Sequence, residues 1–189
     1  MNAAKQPSGS AYFIVKDKAV PESHTLSVLV DNETGVLARV IGLFSGRGYN
    51  IDSLTVSETE HAKHLSRITI VTTGTPHILE QIKLQLERII PVHHVTDLTV
   101  EAHAVGSEPM ARELAMVKVA GTGDARSEAL RLSEAFDAEV LDADTGHFIF
   151  EVKGQPSRID QFIAVMAPLG LVEVCRTGVA AMNRGKAGM

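Results

Sequence analysis

Tryptophan is absent and all aromatics together make up 4% of the 189 residues. A base-stacking platform for single-stranded nucleic acid would have few side chains to draw on. Cysteine occurs once, at Cys175. No intramolecular disulfide can form, which fits a reducing, cytoplasmic setting. Cys175 follows Leu171-Val172-Glu173-Val174, a strand-like run, and is expected to be a buried structural thiol. No apolar run reaches bilayer length, so no membrane span is expected. Lys and Arg number 18 against 23 Asp and Glu, a net charge of -5 without a long basic block. Nucleic acid and acidic membranes are therefore not expected partners.

Catalytic motifs are also missing. There is no Gly-x-Ser-x-Gly elbow and no P-loop. Gly46-Arg47-Gly48 follows a predicted helix and precedes a strand, the reverse of the order a dinucleotide fingerprint needs. No metal site is expected. His61 and His64 fall in a polar loop where solvated histidines are normal. Adjacent His93 and His94 would point to opposite faces of a strand, and zinc wants three or four convergent ligands.

What is present is an ordinary globular composition, 44% hydrophobic and 22% charged, enough for one domain or two small ones. Residues 1–23 carry Lys5, Lys16 and Lys18 but no arginine and no long apolar segment. They are expected to form a flexible lead, neither a signal nor a transit peptide. Residues 24–31 alternate as a strand, 36–45 carry a broad apolar stripe at helical spacing, and 49–57 and 66–73 read as strands. Pro76 opens a second helix, and a strand runs over 92–100. Residues 102–112, with Gly, Ser and Pro and no period, read as a linker. The same order then returns: strand 115–120, helix 126–136, strands 139–143 and 147–153, helix 156–166, strand 171–175. Gly74-Thr75-Pro76 and Gly154-Gln155-Pro156 punctuate the two copies alike. The expected class is α+β, two tandem ferredoxin-like βαββαβ domains. They span 24–101 and 114–182, joined by a linker at 102–113 and followed by a tail at 183–189.

One stretch stands out for chemistry: VDNETGVLARVIGLFSGRGYNIDSLTV, residues 30–56. Asp31, Asn32, Glu33, Thr34 and Gly35 lie where a strand enters a helix. The first helical N–H groups have no intrahelical partner and the dipole is positive there, so a small carboxylate is a natural guest. The alternative is a plain helix cap by Asn32 or Thr34. The second copy has Gly121-Thr122-Gly123-Asp124 at the equivalent place and need not share the role. Ala38, Gly42 and Ser45 lie opposite the apolar stripe, where small residues permit close approach of another chain or simply face solvent.

This stretch, together with SRITIV, LEQIKLQLERIIPVHHVTDL, the MVKV strand and the late VEVCRTGVAAMNRG, resembles the small, regulatory subunit of acetohydroxyacid synthase (acetolactate synthase). The resemblance runs over about residues 24–185. It implies that the first domain is an ACT domain, an amino-acid-binding regulatory module. It implies a non-catalytic subunit that binds a large catalytic subunit, raises its activity and confers feedback inhibition by valine in branched-chain amino-acid biosynthesis. Thiamine diphosphate, Mg²⁺ and FAD would belong to that partner, with no cofactor in this chain. The chain would form a homodimer through its ACT domains. The valine site would lie at the interface of the paired domains, with Asn32 and Gly35 of the turn from one chain and the Asn50 region from the other, and with Asp31, Glu33, Thr34, Val36, Leu37 and Ile51 as neighbours. The other classes consistent with the residues are a free-standing amino-acid sensor with a different partner, and an enzyme built on the same fold.

Overall fold

The computed structural model describes residues 20–60, 62, 64–186 and 188. Most of the expected lead (1–19) and His61 lie outside the described residues. The first unit consists of β1 (Glu22–Asp31), α1 (Val36–Arg47), β2 (Ser53–Glu60), β3 (Leu65–Gly74), α2 (Pro76–Leu86) and β4 (Val92–Asp97). β1 thus starts two residues inside the expected lead. The sheet order is β2-β3-β1-β4 with every neighbour antiparallel. Alternation along β1 turns Leu26, Val28 and Val30 to one face. There they meet Val40 and Phe44 of α1, Ile68 and Ile70 of β3, and Ile82 and Leu86 of α2. Both helices lie on that face, so it holds the core.

The second unit repeats the plan with β5 (Met110–Ala120), α4 (Gly123–Ala135), β6 (Glu139–Ala143), β7 (His147–Gly154), α5 (Pro156–Met166) and β8 (Leu171–Arg176). Its order is β6-β7-β5-β8. Ala115, Val117, Val119, Phe148, Phe150 and Val152 face Ile159, Phe162 and Met166 of α5. Phe150 and Phe162 meet edge to face, 6.0 Å between centroids, a favoured aromatic geometry. The shared Gly-x-Pro punctuation has a steric reason. A Cβ on Gly74 would come within 3.2 Å of Ile78, and one on Gly154 within 3.0 Å of Arg158, each in the first turn of the following helix.

Three expectations need correction. β2 begins at Ser53 rather than at Tyr49, because residues 49–52 are held as a turn. Tyr49 N–H closes α1 on the carbonyl of Phe44 (3.0 Å), and Thr72 Oγ1 donates to the carbonyl of Asn50 (2.6 Å). β4 does not run to Val100. Asp97 Oδ1 accepts from the N–H groups of Thr99 and Val100 (3.0 and 3.1 Å) and caps a seven-residue helix, α3 (Leu98–Ala104), inside the segment read as strand and linker. Asp97 Oδ2 is held in turn by His24 Nδ1 at 2.6 Å. Cys175 is exposed, not buried. It pairs with Met116 on the sheet face away from α4 and α5, where Lys118, Ile149 and Glu173 lie beside it.

A last strand, β9 (Ala180–Met182), was not anticipated. It pairs with Met110–Arg112 and returns the chain to the first unit. Leu98 of α3, Val179 and Ala181 pack with Val71 and Ala111 into a small third cluster. Val179 N–H donates to Ser53 Oγ at 2.9 Å. Gly178 lies so close to β2 that a Cβ there would be 2.7 Å from Thr55 Oγ1.

Beside this junction Arg176 grips Glu113 with both ends of its fork, Nε to Oε1 at 2.8 Å and Nη2 to Oε2 at 2.5 Å, and reaches Asp160 with Nη1 at 2.7 Å. The bond to Glu113 is the main reason the Arg176 guanidinium is pushed above its ordinary range, with Asp160 adding to it. The Glu113 side chain is 3% exposed and that of Arg176 35%. Removing the arginine would strand a buried carboxylate. Arg176→Leu is expected to destabilise the protein by about 2 kcal/mol, below the ~3–5 kcal/mol of a fully buried pair because Arg176 keeps part of its side chain in water. Adding Glu113→Leu should recover most of that loss, as read by urea unfolding.

Candidate functional site

Helix α1 opens without a side-chain cap. Its N-cap is Gly35 at φ 90°, ψ -7°, a left-handed conformation that glycine adopts without strain. Neither Asn32 nor Thr34 takes the capping role that the turn's sequence allowed. Val36 N–H makes a long bond to Glu33 O (3.4 Å), and the first intrahelical bond is Arg39 N–H to Gly35 O (3.1 Å). The N–H groups of Leu37 and Ala38 are in the first turn, where the helix itself supplies no acceptor.

The turn is positioned by its neighbours. Asp31 N–H donates to Pro91 O (2.9 Å) and Asn32 N–H to His64 O (2.7 Å). Asp31 Oδ1 meets His93 Nε2 at 2.6 Å, a partner the sequence pattern did not indicate. His94 pairs with Leu29 and lines a separate cavity. Asn32, Glu33, Thr34 and Gly35 are exposed. Leu37 is 37% exposed, but the Val36 side chain belongs to the core and has only its backbone to offer at the turn.

Asn50 lies elsewhere. The twelve residues of α1 span roughly 18 Å, and Asn50 follows the far end of that helix. Its Nδ2 donates to Asp52 Oδ1 (2.5 Å), and Asp52 Oδ2 accepts from Thr73 Oγ1 (2.7 Å). Thr73 pairs with Ser23, near the start of β1, whereas Asn32 follows its end. Ile51 is half-buried against the first core. Within one chain, therefore, Asn32 and Gly35 do not share a small ligand with Asn50. Ala38, Gly42 and Ser45 of α1 are exposed between the two ends. β2, the edge strand of this sheet, pairs only with β3 among the described residues. Also among the described residues, no group of three or more His, Cys, Asp or Glu side chains is placed to hold a metal ion.

A four-stranded βαββαβ sheet with both helices on one face, an open helix N-terminus after β1 and a second unit of like plan is the form of an ACT-type regulatory protein, a class that senses amino acids. Residues 26–94 match the family model of the AHAS small subunit-like ACT domain, and residues 112–185 that of the small subunit of acetolactate synthase. The chain belongs to the acetolactate synthase small-subunit family. It is 41% identical to the acetolactate synthase isozyme 3 small subunit of Escherichia coli over 161 residues, 85% of this chain and 94% of that one. It is 41% identical to a probable acetolactate synthase small subunit of Archaeoglobus fulgidus over 162 residues, 86% of this chain and 97% of that one. The crystal structure of the acetolactate synthase small subunit from Thermotoga maritima superposes with a TM-score of 0.75 at 34% identity, covering 88% of this chain and 99% of that chain.

Proposed function

We propose that this chain is the regulatory subunit of an acetolactate synthase. It binds and activates a large, thiamine-diphosphate-dependent catalytic subunit and confers feedback inhibition by valine. In this reading the chain performs no chemistry, and thiamine diphosphate, Mg²⁺ and FAD are carried by the partner. The observation that carries the effector role is the exposed, uncapped start of α1 at Gly35. A valine carboxylate would take the free N–H groups, where the helix dipole adds to the attraction.

The span of α1 bears on how Asn50 takes part. Because it lies a helix length from Gly35, a valine touching both requires two chains. A homodimer formed through the first units would supply the turn from one protomer and the Asn50 region from the other. The small exposed residues of α1 and the edge of β2 suit such an approach. Leu37 and Ile51 would line the apolar side. One methylene changes affinity by only ~1–3 kcal/mol, so leucine and isoleucine would bind more weakly without being excluded. Inhibition follows if valine prefers the arrangement that supports the catalytic subunit less well, and linkage then makes the active complex weaken valine binding equally.

The test is a synthase assay with the purified catalytic subunit, with and without this chain and with and without valine. Activity should rise when the chain is added and fall again with valine. Unchanged activity in all four mixtures would refute the assignment and favour a free-standing sensor with another partner. No described helix is long and apolar enough to cross a membrane.

A further inference from the structure

The face of the first sheet opposite the core is more polar than a covered face should be. Register places Thr55, Thr69, Ser27 and Thr96 side by side across all four strands, a ladder of hydroxyls. The next row along β1 sets Arg67 and His94 on either side of Leu29. α3 and the segment after β9 lie over part of this face and leave a cavity of about 460 Å³. That volume is in the range of small-molecule sites. Ser27, Arg67, His94, Thr96, Glu101 and Asn183 line it.

Two polar atoms of these groups, Ser27 Oγ and Arg67 Nε, have no hydrogen-bond partner. Ser27 is fully buried (0% exposed), lines the cavity, and its Oγ makes no hydrogen bond. Arg67 Nε is buried and likewise without a hydrogen-bond partner. Buried polar atoms are rarely left so, and each costs the full desolvation penalty of the group. A buried hydroxyl and a buried guanidinium nitrogen, on two residues that line one cavity, are complementary to an anion with two acceptor oxygens. At the mouth Glu101 accepts a bond from Asn183 Nδ2 and supplies the opposite charge.

We propose that this cavity is a second effector site, which binds a small carboxylate between Arg67 and Ser27. It is separate from the turn at Gly35, since the two lie on opposite faces of the same sheet. The shared chemistry is the carboxylate. A 2-oxo acid needs only Arg67 and Ser27, whereas an α-amino acid also places its ammonium on Glu101. The roof includes Met182, which pairs with Met110 of β5, and Asn183 directly after it. A bound carboxylate therefore ties the first sheet to the end of the second unit, and occupancy favours the arrangement of the two units seen here.

The test is calorimetric titration of the full chain with pyruvate and, separately, with leucine, on the wild type and on Arg67→Gln, Ser27→Ala and Gly35→Asp. Binding of at least one probe should weaken roughly tenfold or more in Arg67→Gln and in Ser27→Ala; in Gly35→Asp pyruvate binding should stay unchanged, whereas leucine should keep only its binding to this cavity. Leucine binding that persists in Gly35→Asp and falls in Arg67→Gln, without pyruvate binding, assigns Glu101 a part; binding of pyruvate assigns the site to oxo acids. Thermal melting separates a ligand role from a structural one. Ser27→Ala removes an unsatisfied buried hydroxyl, so its melting temperature should hold or rise while binding falls. The proposal is overturned if Arg67→Gln and Ser27→Ala bind both probes as the wild type does, or if neither probe binds the wild type at millimolar concentration. Loss of binding only in Gly35→Asp would place the ligand at the turn and overturn it too.

Discussion

Gly35→Asp is expected to weaken valine binding by roughly 10- to 100-fold while leaving stability close to that of the wild type. The separation comes from the geometry of the turn. A Cβ at Gly35 meets no atom within 4 Å, so there is no clash inside the chain. The cost is the left-handed backbone, φ 90°, about 1–2 kcal/mol for a residue with a side chain. An aspartate in the N-cap place recovers about 0.5–2 kcal/mol by accepting from the first-turn N–H groups. That bond is what removes the ligand. The protein's own carboxylate occupies the donors that valine would use, and its charge repels a second anion. A charge-assisted bond is worth about 1.5–3 kcal/mol, hence the range given. Gly35→Ala is the control: it keeps the backbone strain without offering a cap, so it loses stability and retains more binding. Asn50→Ala should also weaken binding without unfolding the chain, because Asp52 keeps its bond from Thr73. Calorimetric titration with valine beside urea unfolding reads both quantities. Wild-type affinity in both Gly35→Asp and Asn50→Ala would refute the placement of the site.

Gly170→Ala carries the largest expected loss of stability, about 2–5 kcal/mol. Gly170 lies between α5, prolonged by one 3-10 turn, and β8, at φ 100°, ψ 39°. Its carbonyl accepts from Ala120 N–H at 2.8 Å, which draws the turn against the end of β5. A Cβ there would lie 1.9 Å from the carbonyl oxygen of Ala120. No side-chain rotation relieves a contact with backbone. The left-handed strain contributes about 1–2 kcal/mol and the forced displacement about 1–3 kcal/mol more. At roughly 2–4 °C per kcal/mol for a chain of this length, the melting temperature should drop by about 4–20 °C. Calorimetric scanning checks it. An unchanged melting temperature would mean that the turn does not approach β5 so closely.

The elements that local pattern resolved are those whose signal lies within a few residues. The βαββαβ order was legible twice because periods of 2 and 3.6 change over at glycines and prolines, and both are short-range properties. β6 and α5 fell where periodicity placed them. The failures have two causes. Leu98-Thr99-Val100 reads as strand by composition, yet Asp97 turns it into helix by capping; an acid at Glu101, in the first turn, was the available cue. Cys175 follows an apolar run, yet it lies on the sheet face that α4 and α5 do not cover. Period 2 divides a strand into two faces without telling which one is covered.

The candidate site divides the same way. That Asn32 and Gly35 enter a helix was local information, and the stretch that holds them was one of several that carried the resemblance to the acetolactate synthase small subunits. That a second chain can supply Asn50 was implied by the resemblance; that Asn50 stands at the other end of α1, too far to share a small ligand with Gly35 within one chain, required the fold. So did the cavity beneath α3, because Ser27, Arg67 and Glu101 are joined only by strand register and by the chain's return after Ala180. Hydrogen-bonding capacity is a property of each residue type. Whether that capacity is satisfied depends on neighbours distant in sequence, and it is the unsatisfied groups that mark places for a ligand.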